Sequence, residues 1–169
     1  LTVAGVNGAS NDYETTPNSF THTVRVEDAA GKVAEGAVTL TITNVNDAPV
    51  VLRSADHSVD YEEGGAAVAV GPGISVGDQD NSTLSSATVS ISSGYISGSD
   101  VLTFANDGAS MGNITASFSA GTLTLTSAGP TATLAQWQNA LRAVTFSTSS
   151  TEPGDSRTVS WKINDGSAT

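Results

Sequence analysis

The run Phe20-Thr21-His22-Thr23-Val24-Arg25-Val26, answered by Val38-Thr39-Leu40-Thr41-Ile42-Thr43, decides how this chain folds. Phe20, Val24 and Val26 alternate with Thr21, Thr23 and Arg25, and Val38, Leu40 and Ile42 alternate with Thr39, Thr41 and Thr43. A period of two sends one set of side chains to one face of a strand and the other set to the opposite face, so this pattern predicts strands and not helices. Between the runs stands Asp28-Ala29-Ala30-Gly31, which is turn chemistry. The pair is therefore expected to form a β-hairpin with one buried face.

Working outward, the same alternation returns at Val68/Val70, Ala87/Val89/Ile91, Leu102/Phe104, Leu123/Leu125, Val144/Phe146 and Val159/Trp161/Ile163, with Gly, Asn, Asp or Ser clusters between. Short strands at such spacing predict a β-sandwich. One segment departs from the pattern. From Thr133 to about Ala143, Leu134, Trp137 and Leu141 fall at i, i+3 and i+7, and Thr133 and Gln136 have the spacing of a capping box. A single short helix is expected there, with Trp137 as a core anchor.

Composition agrees. The chain has 169 residues, 14% charged and 5% aromatic, and roughly a quarter are Ser or Thr, a mixture that suits exposed strands and turns. It has no Cys, which excludes disulfides and thiolate-held metals. Seventeen acidic against 6 basic side chains give a net charge of -11. That balance repels nucleic acid and anionic membrane surfaces and favours cations. No apolar run reaches the ~18 residues of a spanning helix, so membrane insertion is not expected.

Asn44-Val45-Asn46-Asp47-Ala48-Pro49 interrupts the strand pattern, because Asn and Asp favour turns and Pro49 bars a helical residue before it. A boundary is expected there, giving segments 1–48 and 49–169. The first segment resembles the end of a cadherin-type repeat of the kind found in very large, secreted bacterial surface adhesins of the RTX type. The likeness rests on Asp12-Tyr13-Glu14, on the strand ending Val26-Glu27-Asp28 and on the linker Asn44–Pro49. The second segment resembles a chondroitin-sulphate-proteoglycan-type repeat, a related sandwich. Here the matching residues are Glu63-Gly64-Gly65, Asp78-Gln79-Asp80, Trp137-Gln138-Asn139-Ala140-Leu141 before Val144-Thr145-Phe146, and Val159 to Gly166.

The resemblance implies an all-β fold of tandem cadherin-like (immunoglobulin-like) Greek-key β-sandwiches. It also implies that the first segment holds only the last strands of its repeat and that the second lacks its last strand. It further implies Ca²⁺ at the junction, held by Asp12 and Glu14, by Asn46 and Asp47 of the linker, and by Asp78, Asp80 and Asp165. Ca²⁺ takes six to eight oxygen ligands, which several loops must supply together. The acidic residue that the family carries near the start of its repeat would precede Leu1. By analogy Asp28, Glu62 and Glu63 would serve neighbouring junctions, whereas Asp100, Asp107 and Asp155 read as turn residues.

The functional expectation is a non-enzymatic, calcium-stiffened extender on the cell surface. Its partners are neighbouring repeats of the same chain, or a homo-oligomer or complementary strand at an open sheet edge. Paired carboxylates could serve glycoside hydrolysis, but 2 Trp, 3 Tyr and 4 Phe, largely at alternating positions, leave little for a sugar platform. His22 lies in a strand and His57 in a loop, and neither belongs to a recognisable triad. The glycine-rich stretches lack the following Lys of a phosphate loop, and the glycine-rich nonapeptides of RTX secretion ends are absent.

Overall fold

The computed structural model describes residues 13–53, 58–152, 154 and 156–167. Its contacts divide the chain into two units, Leu1–Asn46 and Asp47–Thr169.

In the first unit, β1 (Ser19–Glu27) and β2 (Val33–Thr41) form an antiparallel hairpin, in register from Ser19 opposite Thr41 to Glu27 opposite Val33. Asp28 makes the turn. Its Oδ1 accepts from the backbone N–H of Ala30 (2.9 Å) and of Lys32 (2.9 Å), and Gly31 takes the left-handed φ of 79°. The hairpin forms as expected, but the expected buried face does not. Phe20, Val24, Val26, Val38 and Leu40 share one face, yet Val26 is 63% and Leu40 55% exposed. A two-stranded ribbon is a single layer, and alternation can bury a face only where a second layer lies against it.

The second unit contains β3 (Val50–Leu52), β4 (Val68–Ala69), β5 (Ser75–Gly77), β6 (Thr83–Leu84), β7 (Ser86–Ser93), β8 (Asp100–Thr103), β9 (Ile114–Ser119), β10 (Thr122–Ser127), β11 (Ala132–Thr133), α1 (Leu134–Arg142), β12 (Thr145–Thr148) and β13 (Thr158–Asn164). One antiparallel sheet runs β13-β7-β10-β9 and a second runs β4-β12-β8, with β3–β5 and β6–β11 as short pairs. The protein is thus all-β with one short helix. Ala87, Val89 and Ile91 of β7, Leu123 and Leu125 of β10, Leu102 of β8 and Phe146 of β12 enter one core, while the Ser and Thr residues between them face outward or are half-buried.

The helix stands where the capping box predicted it. Thr133 is the N-cap, its hydroxyl accepting from the Gln136 N–H while the Gln136 side chain accepts from the Thr133 N–H. Trp137, Ala140 and Leu141 turn inward, and Trp137 is fully buried, its Nε1–H donating to the carbonyl of Leu84 (3.0 Å).

Strand β9 was not foreseen. Its Ile114, Ala116 and Phe118 alternate correctly, but β9 is an edge strand and most of its residues are exposed. It joins β10 through Ala120-Gly121, with φ of 48° and 81°, the two left-handed residues of a tight hairpin turn. An alanine held left-handed costs about 1 kcal/mol. Ala120→Asn is therefore expected to stabilise the second unit by about 0.5–1 kcal/mol, seen as a raised urea midpoint at unchanged slope.

Candidate cation site in the second unit

β5 ends at Gly77 and the chain turns at once through Asp78-Gln79-Asp80-Asn81. Asp78 closes this turn, its Oδ1 accepting from the N–H of Asp80 (2.9 Å) and of Asn81 (2.7 Å). That is the local work expected of Asp in a turn. Its other oxygen does something different. Asp78 Oδ2 is buried and, among the described residues, accepts no hydrogen bond. An ionised carboxylate offers about four lone-pair sites, and a buried oxygen with none of them used costs free energy unless a cation or water meets it.

Around this turn further oxygens converge. The backbone N–H of Asp47 donates to Asp80 Oδ2 (2.5 Å), and Gln79 Nε2 donates to Asp47 Oδ2 (3.2 Å). Carboxylate oxygens of Asp47 and Asp80 lie within 4.8 Å of each other. Asn81 Nδ2 donates to Asp165 Oδ2 (3.2 Å), and Asp165 Oδ1 accepts from Ser167 N–H (2.7 Å). The start of the unit, the turn after β5 and the turn after β13 thus meet in one acidic patch. Its donors among the described residues are hard carboxylate oxygens, a set suited to Ca²⁺ more than to a transition metal.

Of the seven expected ligands, Asp47, Asp78, Asp80 and Asp165 are gathered here. Asn46 is the exposed last residue of the first unit, and Glu14 is an exposed turn residue of that unit. Asp12 lies outside the described residues, as do His57 and Asp155. Sequence reasoning missed Asn81, which ties the two turns together. No local signal marks it, because the aspartate that its side chain reaches lies 84 residues away.

The other acidic residues do different work. Asp28 caps its hairpin turn, while Glu62 and Glu63 are exposed. Asp107 is a turn residue as expected: the Ser110 hydroxyl first, then the N–H groups of Ala109 and Ser110, donate to its carboxyl and hold it below the usual range.

Asp100 corrects the reading as a turn residue. It is 1% exposed and receives both Arg157 Nε–H (2.5 Å) and Nη2–H (3.2 Å), together with the Ile96 N–H (2.8 Å). Burial pushes its carboxyl up. The hydrogen bonds from Arg157, Ile96 and Thr148, with the guanidinium charge, outweigh that and hold it below the ordinary value.

The described residues thus define an all-β chain whose second unit gathers carboxylates where the chain enters it. Over 172 aligned positions the sequence is 28% identical to halomucin of Haloquadratum walsbyi (strain DSM 16790 / HBSQ001). The match takes in 98% of this chain and 2% of halomucin, so the chain spans a small fraction of the curated relative it matches. No family model matches the sequence, and no solved structure matches it significantly. No helix among the described residues is long and apolar enough to cross a membrane.

Proposed function

We propose that this chain is a non-enzymatic, calcium-stiffened extender segment of a very large cell-surface protein, serving adhesion by holding binding domains away from the cell. The observation that carries the reading is the buried, unpartnered Asp78 Oδ2 amid the carboxylates of Asp47, Asp80 and Asp165. Ca²⁺ held there relieves both the orphaned oxygen and the mutual repulsion of the carboxylates. Asp47 is the first residue after the boundary between the units, so an ion bound to it restrains the linker directly. Asp12, Glu14 and Asn46, from the other side of that boundary, complete the ligand set in this reading. The likeness to part of halomucin supports a place in a long surface protein, and a chain without cysteine tolerates an oxidising medium.

Calorimetric titration of chelator-stripped protein with Ca²⁺ should show saturable binding. In parallel the melting temperature should rise, because a ligand at 100 times its Kd stabilises by about 2.7 kcal/mol. Asp78→Asn removes one ionised oxygen while keeping the turn acceptor, and should weaken Ca²⁺ binding tenfold or more at little cost in calcium-free stability. Absence of heat and of a melting shift at millimolar Ca²⁺ overturns the proposal. Scattering carries the mechanical part: the particle should become longer and stiffer with Ca²⁺.

A further inference from the structure

α1 holds both flanks of the turn that carries Asp78 and Asp80. Before the turn, the Nε–H of Arg142, in the last turn of the helix, donates to the Ile74 carbonyl (2.7 Å). After it, the N–H of Leu134, the first helical residue, donates to the Ser82 carbonyl (3.2 Å), and Trp137 Nε1–H donates to the Leu84 carbonyl (3.0 Å). Thr83 and Leu84 also pair with Thr133 and Ala132, the two residues that lead into the helix. The first N–H groups of a helix find no partner within it and must be met from outside. Here the Thr133 hydroxyl meets that of Gln136 and the Ser82 carbonyl meets that of Leu134, with no acidic side chain in the first turn to help. The helix start thus depends on the segment that leaves the carboxylates. That segment is tied on its other side to the end of β13, where the Ser85 N–H donates to the Asn164 carbonyl (2.9 Å) and Asn81 Nδ2 to Asp165 Oδ2 (3.2 Å).

We infer that the seating of α1 and the occupation of the cation site are one coupled equilibrium. Residues 74–85 open as a local unit, which frees the helix start and the ion together, and Ca²⁺ on Asp78, Asp80 and Asp165 holds that unit shut. The inference rests on the calcium reading above and adds what the ion controls. With no cation, the unused Asp78 Oδ2 and the carboxylates around it favour opening, since water then reaches every oxygen. With the ion bound, opening must also release it, so the closed form gains the whole free energy of binding. The coupling runs both ways, and whatever loosens the start of α1 loosens the ion.

Native-state hydrogen exchange of the full chain, in chelator and in Ca²⁺, tests this with calorimetry on the same samples. In chelator the Leu134 amide and the Trp137 indole N–H should exchange at least tenfold faster than the amides of the β7–β10 ladder, which marks the opening as local. At Ca²⁺ of 100 times its Kd, their exchange should slow about a hundredfold. Asp78→Asn, which keeps the turn acceptor, should cut that slowing about tenfold at the same Ca²⁺ concentration. Saturable heat with unchanged exchange at Leu134 and Trp137 overturns the inference and leaves the calcium reading standing. Exchange in chelator no faster than that of the ladder also overturns it, because the helix then opens only with the whole unit. Absence of heat at millimolar Ca²⁺ overturns both.

Discussion

Trp137→Ala is expected to destabilise the second unit by about 3–5 kcal/mol. Trp137 is fully buried, in one cluster with Leu84, Leu102, Leu141 and Val144, and truncation leaves a cavity that these neighbours cannot close without leaving their rotamers. It also strips the Leu84 carbonyl of its indole donor. Trp137→Phe separates the two effects, because it keeps most of the apolar volume and loses only the hydrogen bond, for an expected cost of about 1–3 kcal/mol. Both tryptophans of the chain, Trp137 and Trp161, lie in the second unit, so Trp161 fluorescence remains as a probe in either variant. A domain is stable by only about 5–15 kcal/mol, so the alanine variant should show a large fall in urea midpoint.

Asp100→Ala should cost a comparable amount, about 3–5 kcal/mol, because it leaves the Arg157 guanidinium largely buried without its counter-charge. The Arg157 side chain is 10% exposed and that of Asp100 0%. The pair joins the start of β8 to the residue before β13, and so ties together edges of the two sheets. Arg157→Leu alone should be similarly harmful. The double variant Asp100→Leu with Arg157→Leu should cost much less than the sum, since a well-packed apolar pair can replace a buried ion pair at little net loss.

The pH dependence follows from the direction of the Asp100 shift. Its carboxyl is held below the ordinary value of 3.8 in the folded state. The ionised form is therefore worth most above the unfolded pKa, and its contribution fades as pH falls through the lower folded value. Stability should decline from about pH 4 downward, and Asp100→Asn should flatten that limb of the curve. Equilibrium unfolding across pH 2–6 reads both effects. An unchanged acid limb in the variant would assign the acid sensitivity to other carboxylates.

Much of this architecture was legible because its determinants are local. The hairpin of β1 and β2 follows from period-two alternation and the Asp28 turn, and α1 from a capping box four residues long. Alternation says which side chains share a face. It does not say whether anything lies against that face, and so Val26 and Leu40 read as core yet no described residue buries them. β9 escaped for the converse reason, since an exposed edge strand needs few large apolar residues to announce itself.

The carboxylates show the same division. Asp78, Asp100 and Asp107 all look like turn residues, for each is a short acid beside Gly, Ser or Asn. Only Asp107 is no more than that. The partner of Asp100 lies 57 residues away and that of Asp47 lies 33 residues away, separations that no window along the chain can report.

Taken alone, the amino-acid sequence determined the all-β class, the turns, the one helix with its buried tryptophan, and the acidic character that favours cations. Each of these follows from backbone preference and side-chain period within a few residues of the position concerned. Tertiary structure alone decided which acids meet. It left Asp78 Oδ2 buried without a donor among the described residues, gave Asp100 the Arg157 guanidinium, and paired β13 with β7. Such relations depend on sheet order and on loops brought together from distant parts of the chain, and the cost or gain of a buried charge exists only once its surroundings have formed.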